Sequence, residues 1–186
     1  GADKGLSTVV IPFQLPNFGA TSDPFLSADL GVMVHTIGAA TVTDVDLYGV
    51  RVDASPLISA SDWYNGATPD PSATMIQESF LTPLSSAGFV GAPNNNTDAL
   101  GDAALLSYLN TSYAGGAAAG EYVFLRLSYA SDTYADGWDA YSLTSQNAGG
   151  EGEHPVITYE AIPEPATLGL LGLAGLTLWV RRRFKF

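Results

Sequence analysis

TVTDVDLYGVRV, residues 41–52, is the stretch on which the fold turns. Val42, Asp44, Asp46, Tyr48, Val50 and Val52 share one parity, and Thr43, Val45, Leu47, Gly49 and Arg51 share the other. β-Branched and aromatic residues at this density read as a strand. Neither parity is wholly apolar, although a half-buried strand shows one clean apolar face. A bulge or a kink at Gly49 is therefore expected, exchanging the faces partway along.

Working outward, STVVIPFQL (7–15) reads as a strand, with Pro12 marking an edge or a bulge. Leu26–Thr36 reads as a second strand, with Leu30, Val32 and Val34 alternating onto one face. Thr74–Leu81 is a further strand. EYVFLRLSY (121–129) is too apolar for an exposed element, and Arg126 within it is expected to make a salt bridge with its stem laid on the sheet. PVITYE (155–160) is the last strand, after a short one at 141–144. Ser61–Tyr64 reads as a helical turn capped by Ser61, and GAPNNNTD (91–98) as a loop. One helix is expected at 102–109, apolar through Ala104, Leu105, Leu106 and Leu109 and stopped by Gly115-Gly116. Short strands with frequent turns point to an all-β, jelly-roll-like β-sandwich with one short helix, plus a C-terminal hydrophobic helix. Residues 1–161 form the β-sandwich domain in this reading, and 162–186 a separate tail.

The 186 residues suffice for one domain with its own core. Before Pro163 there are 18 acidic residues against three basic ones, Lys4, Arg51 and Arg126, a balance of −15. Such a body repels nucleic acid and anionic lipid, so no nucleic-acid partner is expected. Without cysteine, thiolate catalysis and disulfide stapling are excluded. The opening GADKGLST has neither a basic start nor an apolar run, so Gly1 is expected to be a mature start or the edge of a fragment.

Thr167–Val180 is apolar apart from its two threonines and is followed by Arg181, Arg182 and Arg183. As a helix from Pro165 it would be about 24 Å long, a short span. The basic end would stay cytoplasmic and the acidic body outside. Pro163-Glu164-Pro165, a Gly/Leu run and a terminal Arg cluster, in this order, resemble the PEP-CTERM sorting signal of exported bacterial proteins. The resemblance covers residues 162–186. It implies that Pro163, Glu164 and Pro165 are recognised by an exosortase, a membrane protease. It also implies that 167–180 hold the precursor transiently in the inner membrane and that Arg181–Arg183 act as the stop. The protein would then pass to the cell surface or extracellular matrix. The closing Phe184-Lys185-Phe186 departs from a purely basic end.

A second resemblance concerns the body. VVIPFQLPNF, then SADL, VDLYGV, DAALLSYLNTSYAGG, YVFLRLS and HPVITYE resemble the DNRLRE-type β-sandwich modules of secreted bacterial proteins. The motif naming that family is absent here, and only six residues precede the strand-like VVIPFQLP where the family has a further strand.

Chemistry is sparse. His35 and His154 are the only histidines, too few for a His₃ zinc site and in no HExxH pattern. There is no GxSxG elbow and no phosphate loop, so no catalytic residues are assigned. Asp44 and Asp46 are a carboxylate pair on one strand face, read as a solvated face or a cation-binding pair, with the acid and base of glycoside hydrolysis as the catalytic alternative. In DTYADGWD, Asp132, Asp136 and Asp139 offer hard oxygen ligands suited to a structural calcium ion. Asp98 and Asn94–Asn96 are a second donor group. Trp63, Trp138 and Tyr141 are candidates for stacking on sugar rings. The expected function is non-catalytic: an exported envelope or matrix protein with a structural or adhesive role. The rivals are a carbohydrate-binding module contacting extracellular polysaccharide, a glycan-active enzyme, and a self-associating surface subunit whose open sheet edges pair.

Overall fold

A computed structural model of the chain describes residues 8–19, 21–37, 43–64, 69–88, 92–130, 141–143 and 154–162. The strands in chain order are β1 (Val9–Gln14), β2 (Phe25–Val32), β3 (Val34–Ile37), β4 (Val45–Asp53), β5 (Thr74–Leu81), β6 (Asn95–Asn96), β7 (Tyr122–Tyr129), β8 (Tyr141–Leu143) and β9 (Val156–Ala161). The helix α1 spans Ala99–Tyr113. A four-stranded sheet has the order β1-β7-β4-β5, a three-stranded sheet β6-β2-β9, and β3 pairs with β8.

The decisive strand behaves as its mixed parity requires. Leu47 lies opposite Leu127, Tyr48 opposite Arg126 and Gly49 opposite Leu125, but the register slips before Arg51, which lies opposite Phe124. The extra residue exchanges the faces. Val45 and Leu47 point into the core before the bulge and Val52 packs on it after, while Tyr48 and Arg51 fall on the other side. Gly49 is needed here, because a Cβ would lie 2.5 Å from the Tyr108 ring of α1. Tyr108 then donates its hydroxyl to the Arg51 carbonyl at 3.2 Å.

Helix α1 is longer than its apolar side alone suggests because its cap lies earlier. The Asp98 carboxylate accepts from the backbone N–H of Leu100 and Gly101 at 3.0 and 2.8 Å, meeting two of the donors a helix start leaves open. The expected strand 26–36 is broken at Met33. Asn94 wedges there, its side chain accepting from Val34 N–H at 2.8 Å and donating to Val34 O at 3.0 Å, so β2 and β3 join different sheets.

The all-β sandwich expectation is corrected. Leu105, Leu109 and Tyr113 of α1 share one core with Leu30 and Val32 of β2 and with Leu47, Val123, Leu125 and Leu127 of the four-stranded sheet. The second sheet is narrow, its β6 only two residues long, and α1 supplies the apolar layer that a full second sheet would provide. The architecture is thus a mixed β-sheet core closed by one helix. The expected C-terminal hydrophobic helix is not part of it. Among the described residues α1 is the only α-helix, and no helix is long and apolar enough to cross a membrane. From Pro163 onward the tail lies outside the described residues. The inner-membrane partnership expected through that helix is corrected with it.

Candidate functional site

Arg51 and Arg126, two of the three basic residues before Pro163, stand on the neighbouring strands β4 and β7 and on the outer face of the four-stranded sheet. The β4–β5 connection, described over 54–64 and 69–73, lies over them. Arg126 is buried, its side chain 2% exposed, and forms an ion pair with Asp70, whose side chain is 1% exposed. Its other donors reach Ser128 Oγ at 3.0 Å and the Asp62 carbonyl at 3.3 Å. The guanidinium lies 5.3 and 5.4 Å from the ring centroids of Tyr48 and Tyr64. Arg51 stacks on Phe124 with its guanidinium carbon 3.7 Å from the ring centroid. It pairs with Asp62 through two nitrogens and with Asp53 at 2.5 Å, and donates to Leu57 O at 3.0 Å.

Asp62 joins the two arginines. Its carboxylate takes Arg51 and both the N–H and the hydroxyl of Ser59, at 2.6 and 3.1 Å, while its carbonyl takes Arg126. The hydrogen bond from Arg51 is the largest influence on this carboxyl and outweighs burial, holding its pKa down at about 2. At Asp70, burial alone would raise the pKa, but the hydrogen bonds from Ser72 and Arg126 together hold it below the usual carboxylate range. Asp46 goes the other way: burial raises it, against hydrogen bonds from Ser79 N–H and the Tyr48 hydroxyl. Burial, then the Asp46 charge, pushes Tyr48 up to about 12.

These bonds fix the connection at Leu57, Ser59, Asp62 and Asp70, and it exposes three large apolar side chains. Leu57 is 76% exposed, Ile58 45% and Trp63 46%. Three large apolar side chains are thus exposed within seven residues, whereas Leu84 is exposed singly. The connection is thus tied to the sheet and exposes these three apolar side chains beside the polar Asp53, Ser59 and Ser61.

Of the sugar-stacking candidates, Trp63 is thus exposed at the end of a 3-10 turn, capped by Ser59 where Ser61 was expected. Tyr141 enters β8 opposite Ile37, its side chain lying outside what is described. Trp138 and the calcium candidates Asp132, Asp136 and Asp139 lie outside the described residues, as do Pro163, Glu164, Pro165, Arg181, Arg182 and Arg183. Among the described residues no three His, Asp or Glu side chains gather in a group able to hold a metal ion. Of the second donor group, Asp98 caps α1 and Asn94 bonds to Val34. Asp44 and Asp46 both bind Ser79 of β5, Asp44 at the hydroxyl (2.7 Å) and Asp46 at the N–H (2.8 Å). The Arg51–Asp62–Arg126 assembly was not foreseen as a site. Its signal was present: two lone arginines in an acidic body, on strands that pair.

The described chain ends where the tail begins. Ala161 closes the exposed strand β9, and Ile162 N–H donates to Pro24 O at 2.9 Å. Residues 161–183 match the PEP-CTERM protein-sorting motif. The chain therefore carries the sorting signal of exported, cell-surface-associated proteins. The match does not extend into the body, so it lends no support to the resemblance to DNRLRE-type modules. No curated protein and no solved structure matches the chain.

Proposed function

We propose that this chain is a non-catalytic envelope or extracellular-matrix protein with an adhesive role, and that an exosortase acts on its Pro163-Glu164-Pro165 region. The observation that carries the adhesive reading is the exposure of three large apolar side chains, Leu57, Ile58 and Trp63, on one connection tied down by two arginines. A loop held in one conformation loses little entropy when it binds, so its contact area converts more fully into affinity. The emergence of the sorting motif from an exposed edge strand gives a processing enzyme a reachable site.

A carbohydrate-binding module is the second reading, favoured by Trp63, whose flat ring is half-exposed on the same rigid loop. Retention of the full chain on insoluble polysaccharides and on hydrophobic beads separates the two. The adhesive reading expects retention on the beads, reduced about tenfold by Leu57→Asp with Ile58→Asp, the fold being unchanged by circular dichroism. Saturable retention on one polysaccharide, abolished by Trp63→Ala alone, would make the chain a glycan-binding module. Retention on neither support would remove the loop as a contact surface.

A further inference from the structure

Strand β9 is an edge of its sheet, and among the described residues only β2 pairs with it. Its last residue, Ala161, is also the first residue of the matched sorting motif, so motif and sheet overlap. Ala161 lies opposite Phe25, and Ile162 N–H donates to Pro24 O at 2.9 Å. Only Ile162 separates the strand from Pro163-Glu164-Pro165. One residue spans at most about 3.6 Å of chain. An enzyme that takes hold of Pro163-Glu164-Pro165 therefore meets the end of β9 as well.

The direction of the backbone groups there is fixed. Glu160 N–H donates to Ser27 Oγ at 3.2 Å and Ile162 N–H to Pro24 O, both on the β2 side. Along an antiparallel strand, successive residues turn their N–H and C=O to opposite edges. Tyr159 and Ala161 therefore turn theirs to the open edge, where no described strand lies. The strand is held meanwhile by its aromatic contacts, with the Tyr159 ring centroid 5.4 Å from that of Phe25 and 6.0 Å from that of Phe18. An ordered open edge offers main-chain bonds to an added strand at little cost in ordering.

We infer that the exosortase docks on the open edge of β9 by strand addition, pairing with the backbone groups of Tyr159 and Ala161 while β9 stays bound to β2. The inference rests on the exosortase reading above and adds to it a second contact, on the folded body. The strand is then part of the signal: Pro163-Glu164-Pro165 is read together with the edge that leads into it.

The test co-expresses the full chain with an exosortase and follows removal of the tail by pulse-chase and intact mass. Ala161→Pro deletes the open-edge N–H and leaves the bonds of Glu160 and Ile162 in place; an edge strand accepts proline where its missing N–H faces outward. The expected result is an unchanged circular dichroism spectrum and processing slowed about 2- to 10-fold, the worth of one hydrogen bond. Ala161→Ser, which alters the side chain and keeps the N–H, should be processed at the wild-type rate. Ser27→Ala removes the acceptor of Glu160 N–H and loosens β9 from β2, so processing should be unchanged or slower. Should Ala161→Pro disturb the fold, Ser27→Ala decides alone. Faster processing of Ser27→Ala would mean that β9 is peeled from the sheet before the enzyme acts, and overturns the proposal. So does wild-type processing of Ala161→Pro, equal slowing of Ala161→Ser, or a fall in the solution mass of the chain on Ala161→Pro, which would make the edge a contact between copies. A wild-type tail that is never removed, or removal that survives Pro163→Ala with Glu164→Ala, overturns the exosortase reading and the inference with it.

Discussion

Strand β7 is buried from Val123 to Ser128 on both its faces, yet the two faces are covered by unlike means. Inward, Val123, Leu125 and Leu127 meet the aliphatic side chains of α1 and β2. Outward, Phe124, Arg126 and Ser128 lie beneath a connection held by ion pairs and hydrogen bonds. The inner contact is non-directional and adds with area. The outer contact is directional: each charge is stable there only while its particular partner is present. The inner face therefore tolerates aliphatic exchange, whereas the outer face holds one loop in one place.

Arg126→Met tests this contrast most severely. It leaves the Asp70 carboxylate buried without a countercharge, and a loss of about 3–5 kcal/mol is expected in urea unfolding. Arg126→Met combined with Asp70→Leu should recover most of it. A single-variant loss under about 1 kcal/mol would mean that the pair does not hold the outer layer. On the inner face, Leu109→Ala should cost about 2–5 kcal/mol through the cavity it leaves, a loss that no charge change elsewhere restores.

Acid sharpens the comparison further, because only the outer face titrates. Asp62 has its pKa lowered to about 2, so it contributes stability that is complete above its ordinary value near 3.8 and lost as pH falls through about 2. The fall from 3.8 to about 2 corresponds to roughly 2.5 kcal/mol, and Asp70 acts in the same direction. Asp46, raised by burial, has the opposite sign: its contribution favours the folded state when protonated and is lost as pH rises through its folded pKa. Stability from chemical unfolding should therefore drop between about pH 4 and 2, and the drop should be shallower in Asp62→Asn. An unchanged profile would show that the carboxylate gains nothing from Arg51. The smallest effect is expected at the helix start, where Asp98→Ala removes two hydrogen bonds and should lower the thermal midpoint by the equivalent of about 1 kcal/mol.

Much of the strand pattern was legible in advance. The bulge after Gly49, the strands at 9–14, 74–81 and 122–129, and a helix over Leu105–Leu109 all follow from spacing and turn residues, which act over a few positions. One misreading had a distant cause and another a local one. The break at Met33 depends on Asn94, sixty positions along from Val34, and the early helix start depends on a carboxylate that composition had placed in a loop. The salt bridge expected of Arg126 is present, but its partner Asp70 lies 56 positions away, and no local pattern singles it out among 18 acids.

By itself, then, the sequence determined most of the strands, the acidic character of the body and the sorting motif at 161–183, because each is written in neighbouring residues. The tertiary structure alone decided that a helix replaces part of a second sheet, that two lone arginines meet through Asp62, and that Trp63 stays exposed while Arg126 is buried. Those outcomes depend on which surfaces remain uncovered once the strands have paired, and burial of a charge is stable only where its partner arrives from elsewhere in the chain.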